Sequence, residues 1–208
     1  MKPQFIYKPF NLPNILAGTF RKKNTISNIA EYLKIGVQEI VQAEQVHGGM
    51  IGIASARDLG RTLPHVDALI TNLEHVPLLI RTADCLPIFI YAKTERAIAL
   101  VHAGRKGTEL GIVPKTIGAL HKEYGSKPED CLVSIGPGIG VCCYEIEPVT
   151  HAHYDLIEVN QQQLKNVGIP DKNIHTSGIC TCCEKDQCFS YRREGAGTGR
   201  MYSVLMLK

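Results

Sequence analysis

Two uninterrupted apolar runs, separated by a short polar turn, constrain the fold of this chain most strongly. Residues 86–92 read LPIFIYA and residues 97–102 read AIALVH, and Lys93, Thr94 and Glu95 lie between them. Runs without polar alternation are typical of strands covered on both faces, and the short turn predicts an antiparallel hairpin. The chain therefore needs further layers of structure on both sides of this hairpin.

Weaker signals predict helices and strands around the hairpin. Asn24-Thr25 precedes apolar residues with helical spacing, and a second helical pattern contains Pro114, which either follows the start of the helix or bends it. The predicted helices cover 26–33, 112–124 and, more weakly, 156–164; the other predicted strands cover 40–47, 77–81, 132–135 and 202–207. Residues 103–107 are predicted to be a loop that precedes the second helix. The interleaving predicts an α/β (α+β) fold, with mixed β-sheet layers flanked by helices, in a single compact domain over residues 1–208.

Composition limits the classes of function. Hydrophobic residues make up 44% of the chain and charged residues 21%, which is typical of a globular protein. The net charge is only +3 and is scattered, so the basic stripe of a nucleic-acid binder is missing. No stretch reaches the roughly 18 apolar residues of a membrane span, and residues 1–20 lack the apolar core of a signal peptide. We expect a cytoplasmic protein that binds neither nucleic acid nor membranes.

Eight cysteines in a chain without an export signal favour free thiols or metal ligands over disulfide bonds. Half of them lie close together near the end of the chain: Cys180, Cys182, Cys183 and Cys188. Their spacing lacks the paired pattern of a zinc knuckle, so two interpretations stay open. They form either a turn without a role of its own or a non-catalytic zinc or thiol interaction module.

Three residues at the predicted ends of apolar strands form a candidate metal site. His47, Cys85 and His102 are each followed within two residues by glycine or proline, which marks a turn where a loop opens access. Two imidazoles and a thiolate suit zinc, and three protein ligands leave a fourth position for water. A hydrogen-bonded histidine and a buried cysteine are the plainer interpretation of each residue alone.

The motifs around these residues resemble the laccase-domain family, first labelled multicopper polyphenol oxidase and later described as purine nucleoside phosphorylase with adenosine deaminase activity. The motifs are QVHG at 45–48, DALIT at 67–71, RTADCLP at 81–87, VHAGRKGT at 101–108, IGPGIGVCCYE at 135–145, FSYRR at 189–193 and TGRM at 198–201. The resemblance implies a layered α/β fold and a metal held by His47, Cys85 and His102. The family usually places tryptophan after VHAG, whereas this chain has Arg105.

The resemblance implies a zinc-dependent purine nucleoside phosphorylase for adenosine- or inosine-type nucleosides, with adenosine deaminase activity. His47, Cys85 and His102 would be both the metal ligands and the catalytic residues. A nucleoside and phosphate would be the partners of a monomer or homodimer. The candidate substrate-binding residues are Gln45, Arg81, Asp84, Arg105 and Lys106.

Other functions stay open on the sequence. Cys85 could be the nucleophile of a cysteine hydrolase, for example one that edits peptidoglycan precursors, with a neighbouring histidine as its base. A copper-dependent polyphenol oxidase is less favoured, because close H-x-H pairs of copper ligands are missing apart from His151 and His153. The interaction module around Cys180–Cys188 is the non-enzyme alternative.

Overall fold

The structure of the protein, a computed structural model, describes residues 10–208. The strands are β1 (Ile15–Phe20), β2 (Val41–Ala43), β3 (Ile51–Ile53), β4 (Thr62–Leu63), β5 (Ala68–Thr71), β6 (Leu78–Thr82), β7 (Leu86–Ala92), β8 (Ala97–Ala103), β9 (Cys131–Ile135), β10 (Glu145–Glu147), β11 (Ala152–His153), β12 (Ile174–Thr176) and β13 (Met201–Leu207). The helices are α1 (Ile26–Leu33), α2 (Arg105–Glu109), α3 (Ile112–Tyr124), α4 (Leu156–Asn166) and α5 (Tyr191–Glu194).

Two mixed sheets form the centre of the fold. The first sheet has the strand order β1-β13-β6-β2-β4, and the second has the order β12-β9-β7-β8-β5-β3. A separate two-stranded ribbon pairs β10 with β11. Each large sheet contains both parallel and antiparallel pairs. The predicted fold class, mixed sheets flanked by helices, is therefore confirmed.

Three apolar clusters bind the layers to each other. One lies between the sheets, where Leu78 and Leu205 of the first sheet join Phe89 and Leu100 of the second. A second cluster joins the opposite face of the second sheet to α3 and α4, and a third joins the opposite face of the first sheet to α1. The layer order is therefore helix, sheet, sheet, helices.

The predicted hairpin lies at the centre of the second sheet. β7 pairs antiparallel with β8 from Leu86↔Ala103 to Ala92↔Ala97, and every residue of both strands is buried. Side chains alternate between the two faces, so Phe89 points toward the first sheet and Ile88 toward the helices. Because both faces are covered, neither strand needs polar residues, which explains the continuous apolar runs.

The helical predictions are confirmed, with one refinement. Thr25 caps α1 through a hydrogen bond from the amide of Asn28, whose side chain in turn accepts the amide of Thr25. Pro114 is the third residue of α3, within the first turn, where a missing N–H costs no helical hydrogen bond. Gly125 ends α3 in the left-handed conformation, as its position after the helical pattern predicts.

Two local predictions are wrong. The strand expected over 40–47 ends at Ala43, and the residues after it form a loop. The segment 103–107, expected to be a loop, contains the start of α2, so Arg105 and Lys106 lie within this short helix rather than ahead of a helix. At the end of β2, hydrogen bonds to Asp67, described below, decide the backbone conformation.

None of the helices within residues 10–208 has the length and apolar character that crossing a bilayer requires. The cytoplasmic location and the single-domain organisation stay predictions.

Truncating Phe89 tests the layer between the sheets, because its side chain is fully buried there and meets Phe10 edge to face. We expect Phe89→Ala to lower the free energy of unfolding by about 3–5 kcal/mol, measured by urea denaturation. Val149→Ala is the control, since Val149 is 87% exposed, and should change stability by less than about 0.5 kcal/mol. A loss below about 1 kcal/mol for Phe89→Ala would contradict the layered core.

Candidate metal centre

The hairpin brings Cys85 and His102 to one face of the second sheet. His102 lies opposite Pro87 in the β7–β8 register, and Cys85 directly precedes β7. Residues two positions apart on a strand point to the same face, and Cys85 is two positions before Pro87. Cys85 and His102 are therefore diagonal neighbours on one face. This face looks toward the first sheet, because Leu100, two residues before His102, packs between the sheets.

His47 reaches the site from the loop that follows β2. A single carboxylate forms this loop: Asp67 accepts hydrogen bonds from the amides of Val46 (3.2 Å), His47 (3.0 Å) and Gly48 (2.7 Å). His47 has φ +58°, an uncommon conformation for a residue with a side chain. The three amides therefore outweigh the strand pattern of the sequence and end β2 early.

The same carboxylate orients His102. Nδ1 of His102 donates to Oδ1 of Asp67 over 2.7 Å, and both side chains are buried. With Nδ1 engaged, Nε2 is the nitrogen left for a metal ion. The His102 ring meets the His47 ring edge to face, with 4.8 Å between the ring centroids.

The three predicted ligands converge. One donor atom from each of His47, Cys85 and His102 lies within 4.8 Å of the others. The donor set fits a metal ion that accepts imidazole nitrogen and thiolate sulfur, and it leaves a coordination position toward solvent. Of the three ligands, His47 is exposed, Cys85 is half-buried and His102 is 3% exposed.

The pKa values of Cys85, His102 and Asp67 are shifted in the metal-free protein. Burial alone would raise the pKa of the Cys85 thiol, but hydrogen bonds from His102 and His47 lower it to about 6. Burial would lower the pKa of His102, but hydrogen bonds to Asp67 and Cys85 raise it to about 9. Burial opposes ionisation of Asp67 as well, yet the hydrogen bonds from His102 and the loop amides keep its pKa below its ordinary value. The sulfur is thus held as the thiolate that coordinates metals.

Gly104 leaves the space that the three ligands occupy. A Cβ atom at this position would lie 2.8 Å from Sγ of Cys85 and 3.3 Å from Cδ2 of His47. The backbone of Gly104 is extended, with φ −86°, so any residue could adopt its conformation. The glycine after His102-Ala103 is therefore needed for space at the metal centre and not for backbone freedom.

A cavity of about 950 Å³ opens beside the three ligands. Five cationic side chains line it, against one carboxylate, Asp84, among the described lining residues. The cations are Arg81, Arg105, Lys106, Arg192 and Arg200. The remaining wall is partly aromatic and apolar, with Tyr144, Tyr191, Ile139 and Leu156. This combination suits a ligand with both an anionic group and a flat apolar part.

All five predicted substrate-binding residues line the cavity, yet two of them have structural contacts. The Gln45 side chain donates to the carbonyl of Arg81 (2.7 Å) and accepts from its amide (2.8 Å), which continues the pairing of β2 with β6. Asp84 accepts the Thr181 hydroxyl and the Arg192 amide, each at 2.6 Å. Arg81, Arg105 and Lys106 carry positive charge on this side of the cavity, and Arg105 also pairs with Glu109 over 3.7 Å.

The sequence predictions missed three kinds of residue. Asp67 organises the centre. The sequence signal for it was the position of an acidic residue directly before an apolar strand, where the carboxylate is buried. Arg192 and Arg200 come from the end of the chain and complete the cationic wall. Tyr144 supplies an aromatic face, and the guanidinium of Arg192 lies 5.4 Å from its ring centroid.

The four C-terminal cysteines do not form a group of their own, as the interaction-module alternative required. Cys188 is fully buried, whereas Cys180 and Cys183 meet Cys142 and Cys143 from a different segment. A module formed by the run 180–188 alone therefore does not exist in this structure. The pair His151 and His153 is exposed, and His151 bonds to Glu145 over 2.7 Å.

Comparison with known families identifies the chain. The family model described as multi-copper polyphenol oxidoreductase laccase matches residues 21–153 and 147–208. The chain belongs to this family. The resemblance drawn from the sequence motifs is thereby confirmed.

Several relatives of this chain have names that refer to purine chemistry. A protein of Bacteroides thetaiotaomicron named purine nucleoside phosphorylase is 35% identical over 204 residues, which cover 88% of this chain and 76% of the relative. Purine nucleoside phosphorylase YlmD of Geobacillus stearothermophilus is 32% identical over 212 residues, covering 88% and 77%. Its crystal structure matches with a TM-score of 0.90 over 97% of this chain and 94% of that chain, at 28% identity. Adenosine deaminase RL5, of an unknown prokaryotic organism, is 27% identical over 209 residues, covering 86% and 79%.

Adding one methyl group at Gly104 tests the space requirement. We expect Gly104→Ala to fold, because the backbone conformation suits alanine, but to bind metal at least tenfold more weakly, since the new Cβ displaces Cys85 or His47. Metal affinity is measured by titration of the metal-free protein with zinc. Gly118→Ala in α3 is the control, because nothing lies within 4 Å of its Cβ position. Unchanged affinity in Gly104→Ala would contradict the placement of the ligands.

Replacing Asp67 tests the role of the carboxylate. We expect Asp67→Asn to weaken metal binding by about 10- to 100-fold, because the amide nitrogen of asparagine faces N–H donors and no longer fixes the His102 tautomer. Nitrogen chemical shifts of the His102 ring measure the tautomer directly. Asp58→Asn, which changes another carboxylate that accepts a backbone amide, that of Ser55, should leave metal binding unchanged. Equal losses in both variants would show that Asp67 acts only on general stability.

Proposed function

We propose that this protein is a zinc-dependent purine nucleoside phosphorylase for adenosine- and inosine-type nucleosides, with adenosine deaminase activity at the same centre. One observation carries the proposal: the His47–Cys85–His102 centre opens onto a cavity lined by five cations and an aromatic wall. The names of the relatives supply the substrate class, which the cavity accommodates in size and charge.

The cationic wall suits inorganic phosphate. Arg81 lies at the end of β6, whereas Arg105 and Lys106 begin α2, so their positions are fixed by different elements of the fold. Phosphate oxygens accept the strongest hydrogen bonds from such cations, and guanidinium groups bind two oxygens at once. We assign phosphate to this part of the cavity and the sugar to the space between phosphate and the metal ligands.

The aromatic and apolar part of the cavity wall suits the purine base. Tyr144 and Tyr191 present aromatic rings, and Ile139 and Leu156 add apolar surface. An aromatic ring packs against the flat face of a purine without selecting one base strongly. The wall therefore agrees with a range of purine nucleosides rather than one. Tyr144 does not lie in the segment after VHAG, where the usual tryptophan of the family is Arg105 in this chain.

Phosphorolysis breaks the bond between C1′ of the sugar and N9 of the purine and forms a bond from C1′ to a phosphate oxygen, while the leaving base takes up a proton. Deamination adds water at C6 and releases ammonia. A bound zinc ion would supply Lewis acidity and a water of lowered pKa for the second reaction. Asp67 keeps the His102 ring oriented, and Cys85 is held as thiolate, so the ligands need little rearrangement during either reaction.

Product analysis of the purified, metal-loaded protein tests the proposal. Adenosine with phosphate should give adenine and ribose 1-phosphate, and adenosine without phosphate should give only inosine. Inosine with phosphate should give hypoxanthine. We expect His47→Ala and Cys85→Ala to lose deamination by at least 100-fold, because each removes a metal ligand. Chromatographic separation of bases and nucleosides measures all three reactions.

A cation variant tests the phosphate assignment. Lys106→Ala should raise KM for phosphate by about tenfold or more while changing KM for the nucleoside less, since a charged hydrogen bond to phosphate is lost. Lys122→Ala, an exposed lysine of α3 outside the cavity lining, is the matched control. An equal rise of both KM values would contradict a phosphate site at Lys106.

The same preparations separate the other functions. Absence of free base and of inosine with zinc confirmed at the centre would reject the proposal. Phenol oxidation that requires copper would favour the oxidase. A covalent product on Cys85 that forms without metal from an amide substrate would favour the cysteine hydrolase. Iodoacetamide distinguishes ligand from free nucleophile, because bound metal should protect Cys85 from alkylation.

A further inference from the structure

Four cysteines from two distant segments meet outside the His47–Cys85–His102 centre. Cys142 and Cys143 lie in a short 3-10 turn after the glycine-rich segment 136–140, and Cys180 and Cys183 follow β12. Their four Sγ atoms all lie within 4.8 Å of one another. All four thiols are free, and two of them, Cys142 and Cys183, are exposed.

The separations of the sulfur atoms agree with one tetrahedral ion. Sγ of Cys142 lies 3.7 Å from Cys143, 3.7 Å from Cys180 and 3.8 Å from Cys183, and Cys143 lies 3.5 Å from Cys183. A zinc ion with Zn–S bonds of about 2.3 Å places its sulfurs about 3.8 Å apart along the edges of the tetrahedron. A disulfide bond would bring one pair to about 2.0 Å. A cubic iron–sulfur cluster binds each thiolate to a different iron and needs a wider set.

The surroundings of the cluster also fit thiolate ligands. The amide of Gly140 donates to Sγ of Cys180 over 3.2 Å. A Cβ atom at Gly140 would lie 3.2 Å from Cβ of Cys180 and 3.3 Å from Sγ of Cys142, so the glycine lets the two segments approach. Arg193 fixes the second segment, because its guanidinium donates to the carbonyls of Thr181 and Cys182.

From this geometry we infer a second metal site, in which Cys142, Cys143, Cys180 and Cys183 hold one zinc ion in a closed tetrathiolate. Four protein ligands leave no position for substrate, which is typical of a structural site. Binding releases the protons of the thiols and changes no oxidation state. Tetrahedral sulfur ligands select zinc, or iron in iron–sulfur proteins, over calcium or magnesium.

The ion would join two walls of the cavity beside the first centre. The segment with Cys142 and Cys143 continues directly into Tyr144, and the segment with Cys180 and Cys183 leads to Tyr191 and Arg192. Without the ion, the contacts between the segments include an isolated β-bridge between Gly138 and Cys180. The hydrogen bond from the Thr181 amide to the Gly138 carbonyl (2.9 Å) also joins the segments. The second site would thus fix the distance between the two cavity walls.

Metal stoichiometry is the first test. The full chain, purified in reducing buffer without chelator, should contain two zinc ions, measured by plasma mass spectrometry. The variant Cys142→Ser/Cys183→Ser should keep only the ion at the His47–Cys85–His102 centre. The variant His47→Ala/Cys85→Ala should keep only the ion at the four cysteines. Cys182→Ser is the matched control, because Cys182 lies beside the cluster but outside the four mutually close sulfurs, and it should keep both ions.

Stability and spectroscopy keep the test independent of folding defects and of the enzyme activity. Cys142 and Cys183 are exposed, so their replacement removes little packing, and any large effect reports the ion. Chelation should lower the melting temperature of His47→Ala/Cys85→Ala by about 5 °C or more, and it should leave that of the same variant with Cys142→Ser and Cys183→Ser added nearly unchanged, because neither site then holds an ion. Cobalt(II) added to metal-free His47→Ala/Cys85→Ala should show the intense visible absorption of a tetrahedral cobalt thiolate.

Three results would overturn this assignment. They are two zinc ions in Cys142→Ser/Cys183→Ser, a disulfide bond within the cluster in the reduced preparation, and loss of an ion in Cys182→Ser. Equivalent iron in place of zinc would overturn the choice of metal. Loss of purine activity with both zinc ions present would contradict the proposed function and leave the second site intact.

Discussion

A single buried carboxylate, Asp67, organises the candidate metal centre. It accepts one hydrogen bond from the His102 ring and three from the amides of the 46–48 loop, and hydrogen bonds to a charged group are worth about 1.5–3 kcal/mol each. Asp67 itself directly precedes β5, a fully buried strand, so its backbone cannot shift without moving the core. The carboxylate thus transmits the rigidity of the second sheet to two of the three ligands.

The layered fold explains why the centre lies at its particular place. β7 and β8 are buried on both faces along their whole length, and their open end is where Cys85 and His102 leave the core. Helices cover one face of the second sheet, and the first sheet covers the other, so a ligand cannot reach the hairpin through either face. The first sheet then contributes Arg81, and the loop after β2 contributes His47, to the same opening.

The cavity walls come mostly from segments with little regular structure. Tyr144 follows a 3-10 turn, Arg192 belongs to a single-turn helix, and Arg200 lies just before β13. Such segments have few core contacts of their own, so polar contacts fix them: Asp84 binds both Thr181 and the Arg192 amide, and Arg193 binds the carbonyls of its own loop. The four-cysteine cluster lies where these two walls meet, which is the position in which an added cross-link restrains them most.

Much of the fold was predictable because its signals are local. The apolar runs of β7 and β8, the capping pair Thr25 and Asn28 of α1, and Gly125 after α3 each specify their element without reference to the rest of the chain. The early end of β2 has a tertiary cause. The alternation through His47 is typical of a strand, but three hydrogen bonds to a residue 20 positions later end β2 at Ala43.

By itself, the sequence determined the layered α/β class, the hairpin, the family resemblance and the identity of the three candidate ligands. Only the tertiary structure decided that these ligands converge, that Asp67 orients them, and that the cysteines pair across 40 residues rather than within the run 180–188. The physical reason is that spacing along a chain encodes hydrogen bonds between near neighbours. Contacts between sheets, loops and distant turns depend on how the layers pack, which no local pattern records.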